Sequence, residues 1–159
     1  MDTKRLIIMA SFVLACEAIG GIGAIFVSSS INNWYAFLVK PSFVPPSWAL
    51  LPIWAVLYAM IGISVSFVWE SRSRKGSIAW PMALFSLQLA LNLLWSFVFF
   101  GLKSALFGLA EILLLWIAVA ATTVKFYHVS KKASLLMALY LVWISFALLL
   151  NLYILKLNP

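Results

Sequence analysis

Long apolar runs separated by short polar segments dominate the pattern along this chain. Each run is close to the roughly 20 residues that an α-helix needs to cross the hydrocarbon core of a bilayer. Most charged residues fall between the runs. The pattern therefore predicts five transmembrane helices, at residues 6–28, 48–69, 78–101, 104–126 and 133–155.

The composition agrees with a membrane protein. Hydrophobic residues make up 65% of the 159 residues and charged residues only 9%, whereas soluble globular domains carry about 25% charged residues. Little sequence remains outside the helices, apart from the connection at residues 29–47. We therefore expect an all-α membrane protein: one five-helix transmembrane domain over residues 1–159, with a long aromatic and proline-rich first loop.

Lysine and arginine are distributed unevenly across the predicted bundle. With five spans, the N-terminus lies on the same side as the second and fourth loops. That side carries Lys4, Arg5, Arg72, Arg74, Lys75, Lys125, Lys131 and Lys132, and the other side carries Lys40, Lys103 and Lys156. Basic loops stay in the cytoplasm, so in a bacterial-type plasma membrane we expect a cytoplasmic N-terminus and an external C-terminus. The net charge of +7 is then a topology signal, and we expect no nucleic-acid partner.

The N-terminal segment has two interpretations. Lys4 and Arg5 followed by an apolar run resemble a signal peptide. The run continues past Cys16 to Val27, however, which is longer than the about 7–15 apolar residues of a signal peptide. We therefore favour a retained first helix. Cys16 is the only cysteine, so no intramolecular disulfide can form.

Several polar residues lie inside the predicted spans. Glu17 falls near the middle of the first helix, and Glu111 lies in the fourth. A charged side chain at the centre of a membrane helix costs roughly 2.5–3.5 kcal/mol, so both are expected to face the bundle interior. For both we favour a structural role over proton transport. Gln88 and Asn92 are one helical turn apart on the third helix and share a face. Hydrogen bonding between helices and contact with a ligand both explain that pair.

Aromatic residues form further stripes at helical spacing. Trp54 and Tyr58 share a face of the second helix, and Trp95 extends the stripe of Gln88 and Asn92 on the third. On the fifth helix, Trp143, Ala147 and Asn151 form a comparable stripe, with Tyr140 beside it. The small Ala147 between larger neighbours leaves space for a flat guest. Core packing explains the same stripes equally well.

The first loop contains Trp34, Tyr35 and Lys40, together with Pro41, Pro45 and Pro46. The proline rings fix φ and limit the freedom of the loop. We expect this loop to cap a pocket in the membrane.

Catalytic and metal-binding signatures are absent from the sequence. The chain has one histidine and four carboxylates, with no metal-ligand spacing, glycine-rich phosphate loop or Ser-His-Asp set. We therefore expect no metal site and no required cofactor. Small residues in the first helix (Gly20 and Ala24) and in the third (Ala83, Ser86 and Ala90) allow close helix approach, within the bundle or in a dimer.

Several sequence blocks, in order across all five spans, identify a family resemblance. They are Trp34-Tyr35, Lys40-Pro41-Ser42-Phe43-Val44-Pro45-Pro46, Trp54-Ala55-Val56-Leu57-Tyr58, Gln88-Leu89-Ala90-Leu91-Asn92, Phe99-Phe100-Gly101, Ala120-Ala121-Thr122-Thr123, and Trp143 with Phe146-Ala147 and Asn151. On these blocks the chain resembles the translocator protein, or tryptophan-rich sensory protein (TspO/MBR), family.

This resemblance implies a five-helix bundle, commonly a homodimer, that binds porphyrins such as protoporphyrin IX. It also implies, for mitochondrial members, binding of sterols and of isoquinoline-carboxamide or benzodiazepine-type drugs. Trp54, Asn92, Trp143 and Ala147 match the family's pocket, and Trp34 with Tyr35 matches its lid. Trp54 and Trp143 also match positions linked to light-dependent porphyrin degradation in bacterial relatives. Glu111 stands where an aspartate is usual.

A sterol contact is a further expectation from the fifth helix. Leu150, Tyr153 and Lys156 fit the Leu/Val-x-Tyr-x-Lys/Arg pattern proposed for sterol binding and lie where the family places its sterol motif. An interfacial tyrosine and a snorkelling lysine explain the same residues.

The sequence therefore leaves three functions open. They are a binding protein for porphyrins and other hydrophobic ligands in transport or sensing, a light- and oxygen-dependent porphyrin-degrading enzyme that uses Trp54 and Trp143, and a small channel or exporter. The expected ligand-binding residues are Trp34, Tyr35, Trp54, Tyr58, Gln88, Asn92, Trp95, Trp143 and Ala147.

Overall fold

The computed structural model of the protein describes residues 3–75 and 77–159. Five of its helices are long and apolar enough to cross a membrane, which confirms the predicted five-helix membrane fold. They are α1 (Thr3–Ile31), α3 (Ser47–Lys75), α4 (Ala79–Ser96), α5 (Ala105–Val129) and α6 (Lys131–Leu157). A short helix, α2 (Trp34–Phe37), lies within the first loop, so that connection is partly helical.

The end of α4 departs from ordinary helical geometry. Residues Phe97–Gly101 form a π-helical segment, in which Leu102 N–H donates to the Phe97 carbonyl at 2.8 Å. The Ser30 hydroxyl of α1 donates to the Phe100 carbonyl in this segment at 2.6 Å. The wider turn therefore coincides with a hydrogen bond between α1 and the end of the third span.

Serine side chains begin the two last helices. The Ser104 hydroxyl accepts a hydrogen bond from Phe107 N–H at the start of α5, and the Ser130 hydroxyl accepts one from Ala133 N–H at the start of α6. Such N-caps satisfy backbone donors that have no partner within the helix. The caps lie at the short connections that lead from the third span into α5 and from α5 into α6.

Within the bundle, α3 packs against both α1 and α6. α5 packs against both α4 and α6. Serine hydroxyls reinforce two of these contacts: Ser64 donates to the Ala133 carbonyl at 2.8 Å, and Ser134 donates to the Thr123 carbonyl at 3.0 Å. Interhelical hydrogen bonds of this kind supplement van der Waals packing where lipid surrounds the helices.

Glycines allow α1 to approach its neighbours closely. A Cβ atom placed on Gly62 of α3 would lie 2.5 Å from Val13 Cα and 2.8 Å from Val13 N. On α1, a Cβ on Gly20 would meet the Tyr58 ring, and one on Gly23 would lie 3.1 Å from Ser96 Oγ. Gly20 and Gly23 thus serve packing inside the bundle, one of the two uses that the sequence left open.

We predict that Gly62→Ala destabilises the protein in detergent, because the added methyl meets the backbone of α1, which cannot move aside as a side chain can. Overpacking of this kind costs about 1–3 kcal/mol. Thermal unfolding followed by circular dichroism measures the effect.

Gly21→Ala is the matched control, since a Cβ there meets nothing within 4 Å. Alanine is favoured over glycine in a helix by about 1 kcal/mol, so this variant should be at least as stable as the parent. An equal loss of stability in both variants would contradict a close approach specific to Gly62.

Candidate functional site

A buried chain of hydrogen bonds connects three helices in the middle of the bundle. The Tyr58 hydroxyl of α3 donates to Asn92 Oδ1 of α4, and Asn92 Nδ2 donates to the Tyr140 hydroxyl of α6. All three side chains are buried. We call Tyr58, Asn92 and Tyr140 the polar triad. It uses the Asn92 amide for bonding between helices, one of the two roles that the sequence left open.

Three tryptophans meet one helical turn away from the polar triad. The ring centroids of Trp54 and Trp95 are 5.7 Å apart, and those of Trp54 and Trp143 are 6.3 Å apart with the rings perpendicular. Phe99 stacks on Trp95 at 5.5 Å with an interplanar angle of 15°. The aromatic stripes of α3, α4 and α6 therefore converge on one cluster.

A small cavity of about 40 Å³ lies against this cluster. Its lining includes Trp54, Trp95, Trp143, Ala147 and Tyr35. A cavity needs about 10–15 Å³ of such space to hold one water molecule, so this one has room for a few waters. In this conformation the aromatic side chains fill the site themselves.

Three polar atoms of the lining have no hydrogen-bond partner in the described part of the chain. They are the indole Nε1 of Trp95, the indole Nε1 of Trp143 and Oδ1 of Asn151. Asn151 is 3% exposed, and its Nδ2 donates to the Ala147 carbonyl at 3.0 Å. Buried polar atoms are nearly always paired, so each exception calls for an explanation. The residues that line the cavity thus carry two donors and one acceptor that no group in the described part of the chain satisfies.

The first loop closes the cavity through Tyr35. Its buried ring packs on Phe100 with centroids 5.5 Å apart, and Lys40 Nζ lies 4.8 Å from the ring centre. Burial raises the pKa of Tyr35 to about 12, so the phenol is neutral at physiological pH. Trp34 packs edge-on against Phe99 at 5.3 Å and does not line the cavity.

The rest of the loop is fixed to the end of α6. Asn158 Nδ2 donates to the Val39 carbonyl, and Val39 N–H donates to Asn158 Oδ1, both at 2.9 Å. The Phe43 ring meets Tyr153 at 5.5 Å and nearly at right angles. We call this pairing of Asn158 with Val39 the lid clamp. Sequence patterns missed it, because nothing in a lone asparagine after a helix identifies a partner so far away in the chain.

The other predicted site residues are more dispersed. Gln88 is fully buried, does not line the cavity, and has no side-chain partner among the described residues. Leu150 lines the cavity, whereas Tyr153 is 41% exposed and Lys156 is exposed. The three residues of the sterol pattern therefore differ in exposure, and the sterol contact stays a prediction.

The two membrane glutamates differ in environment. Glu111 is buried, and neither carboxylate oxygen has a partner among the described residues. Glu17 is half-buried and lines a groove of about 180 Å³ together with Gly20, Trp54 and Tyr58. The groove adjoins the cavity, since Trp54 lines both. Within the described residues, no group of three or more His, Cys, Asp or Glu side chains is placed to hold a metal ion.

Comparison with known proteins connects this geometry to one family. The model of the TspO/MBR family matches residues 12–157. A tryptophan-rich protein TspO from Chlorobaculum tepidum is 42% identical over 156 residues, covering 98% of this chain and 99% of the relative. A tryptophan-rich protein TspO from Archaeoglobus fulgidus is 46% identical over 150 residues, covering 94% and 96%. The translocator protein of Homo sapiens is 40% identical over 133 residues, covering 82% and 78%.

We predict that Asn158→Ala loosens the loop at Val39, because both backbone groups of Val39 lose their partner. A hydrogen bond contributes about 0.5–1.5 kcal/mol net, so the Val39 amide should exchange about twofold to tenfold faster. Hydrogen–deuterium exchange measured by mass spectrometry or NMR follows this amide.

The control is Asn32→Ala, since Asn32 is an exposed asparagine of the same loop whose side chain makes no hydrogen bond within the described part of the chain. This variant should leave the exchange of the Val39 amide unchanged. Unchanged exchange in Asn158→Ala would show that the clamp does not hold the loop.

Proposed function

This chain belongs to the TspO/MBR family of multi-pass membrane proteins, and we propose that it binds a flat, largely apolar ligand of the porphyrin class beneath its first loop. The binding would serve transport or sensing. The observation that best supports this proposal is the convergence of Trp54, Trp95 and Trp143 on a cavity whose lining includes unpartnered donors and an unpartnered acceptor.

The chemistry of the lining matches such a guest. A porphyrin offers a wide π-surface, and indole rings pack favourably against π-systems in stacked or edge-to-face arrangements. The free Nε1 groups of Trp95 and Trp143 would donate to ring or carbonyl acceptors, and Asn151 Oδ1 would accept from a ligand N–H. The same lining would also admit smaller hydrophobic guests, including sterols and isoquinoline-carboxamide or benzodiazepine-type drugs.

Binding requires the site to open. Pockets for small molecules usually measure about 300–1,000 Å³, and the cavity here measures about 40 Å³. Trp54 and Trp143 would have to separate, and Tyr35 would have to leave Phe100. The lid clamp and the contact between Phe43 and Tyr153 are the interactions that such an opening breaks on the α6 side.

Lys40 is the only lysine or arginine in residues 32–46, which belong to the first loop. Its ammonium donates to the carbonyls of Ala36 and Leu38 at 3.2 and 3.1 Å and lies over the Tyr35 ring. A ligand carboxylate that reached the mouth of the site would compete with these contacts. Carboxylate binding and release of Tyr35 would then be coupled through one side chain.

We also propose an orientation in the membrane. The excess of basic residues at one end of the bundle would place the N-terminus in the cytoplasm and the lid outside.

We propose further that the protein forms a homodimer. The small residues Ala83, Ser86 and Ala90 lie on an exposed face of α4, where a second copy would approach closely.

We predict that Trp54→Phe and Trp143→Phe each weaken protoporphyrin binding by about twofold to tenfold, since an aromatic contact of this kind contributes about 0.5–1.5 kcal/mol. The shift of the porphyrin absorbance band during titration in detergent, in the dark, measures the affinity without depending on the substituted tryptophan.

Trp80→Phe is the matched control, because Trp80 is 75% exposed at the other end of α4 from the cavity. It should bind like the parent. Equal affinities in all four proteins would overturn the assignment of the site.

The same samples separate the three functions. Illumination with oxygen, followed by product analysis, would show conversion of the porphyrin if the chain were an enzyme, and Trp54→Phe would abolish it. We expect saturable binding without turnover. Movement of porphyrin into sealed proteoliposomes, absent from empty vesicles, would assign transport, and its absence would favour sensing.

A further inference from the structure

A second cavity, of about 390 Å³, lies at the end of the bundle opposite the first loop. Here α1 begins, α3 ends, and α5 turns into α6. We call it the lower cavity. It is lined by Arg5, Met9, Phe67, Glu70, Ser71, Ser130 and Lys132.

The lower cavity combines three kinds of chemistry. Arg5 and Lys132 supply two positive charges from the first turns of α1 and α6, and Glu70 of α3 supplies one negative charge. Met9 and Phe67 supply an apolar wall deeper in the helices. The ordering from charged to apolar follows the direction from the membrane surface towards the hydrocarbon core.

The charged side chains of the lower cavity do not form ion pairs with one another. Within the described part of the chain, Arg5, Glu70 and Lys132 form no ion pair within 4.0 Å. Both cations also stand at the N-terminal ends of helices, where the helix dipole already favours an anion. An anionic group between Arg5 and Lys132 would therefore be stabilised by both side chains.

We propose that the lower cavity binds the headgroup of a phospholipid that carries a primary amine, of the phosphoethanolamine class. The phosphate binds to Arg5 and Lys132, the ammonium group binds to Glu70, and the first part of an acyl chain packs on Met9 and Phe67. Basic pockets between membrane helices on the cytoplasmic or matrix side bind the phosphates of lipid headgroups, as in cardiolipin and phosphoinositides.

Glu70 distinguishes this ligand from other phosphates. A purely anionic headgroup, such as phosphoglycerol, places no positive charge near the carboxylate. Free phosphate or free phosphoethanolamine offers nothing to the apolar wall. The proposal does not depend on the porphyrin site, because the two cavities share no lining residue.

Native mass spectrometry of the delipidated full chain in detergent tests the proposal. Titrations compare phosphatidylethanolamine, phosphatidylglycerol with the same acyl chains, free phosphoethanolamine and inorganic phosphate. We expect phosphatidylethanolamine to bind several-fold more tightly than phosphatidylglycerol, and the two soluble compounds to bind far more weakly than either lipid. Binding of free phosphoethanolamine as tight as that of the lipid would overturn the assignment to lipid.

Substitutions test which side chain binds the phosphate and which binds the ammonium group. Arg5→Gln and Lys132→Gln should each lower the affinity for both lipids by about fivefold. This factor corresponds to the contribution of about 1 kcal/mol that one basic residue makes near a membrane surface. Glu70→Gln should remove the preference for the ethanolamine lipid. Thermal unfolding without added lipid confirms that each variant is folded.

Arg72→Gln is the matched control. Arg72 lies at the same end of the bundle, but its guanidinium stacks on Trp69 at 4.6 Å, donates to the Trp69 carbonyl at 2.8 Å, and does not line the cavity. Losses at Arg5 and Lys132 no larger than at Arg72 would show only a diffuse surface charge effect. An unchanged lipid preference in Glu70→Gln would overturn the role of the amine.

Discussion

The structure depends on satisfying polar side chains inside a bundle that lipid surrounds. A buried amide or hydroxyl without a partner costs several kcal/mol in an apolar medium, in the range of about 2–7 kcal/mol. The polar triad meets this requirement for Tyr58, Asn92 and Tyr140 at once. Because each member sits on a different helix, the same bonds fix α3, α4 and α6 relative to one another. The tryptophans one turn further along those helices are thereby brought together.

The candidate site consequently has one side that the helices hold rigidly and another side, formed by the loop, that can open. Its floor consists of Trp54, Trp95 and Trp143 on helices joined by the polar triad. Its cover is a loop attached by the lid clamp and a few aromatic contacts. Among the described residues, Trp95, Trp143 and Asn151 each line this cavity and carry a buried polar atom without a partner, whereas the unpartnered atoms of Gln88 and Glu111 lie elsewhere in the bundle. A carrier or a sensor needs this combination, since the guest must enter and leave while the floor keeps its shape.

Periodicity in the sequence predicted much of this arrangement. The length of the apolar runs identifies the five spans, and helical spacing groups Asn92 with Trp95 and Trp143 with Ala147 on faces that turn inward. Periodicity does not show which faces meet, so the bond from Tyr58 to Asn92 was not predictable. The π-helical segment, the short helix in the loop and the pairing of Asn158 with Val39 depend on contacts between distant parts of the chain. Helical spacing also grouped Gln88 and Asn92 as ligand contacts, but neither residue lines the cavity.

We propose above that the tryptophan cluster beneath the loop is a ligand site held closed by its own side chains. The most direct measurement is an experimental structure of the protein in lipid with bound protoporphyrin, compared with the ligand-free form under the same conditions. We expect to find the macrocycle among Trp54, Trp95 and Trp143, with these rings moved apart and Tyr35 displaced from Phe100. A porphyrin bound elsewhere, with the three rings still packed at their ligand-free separations, would contradict it.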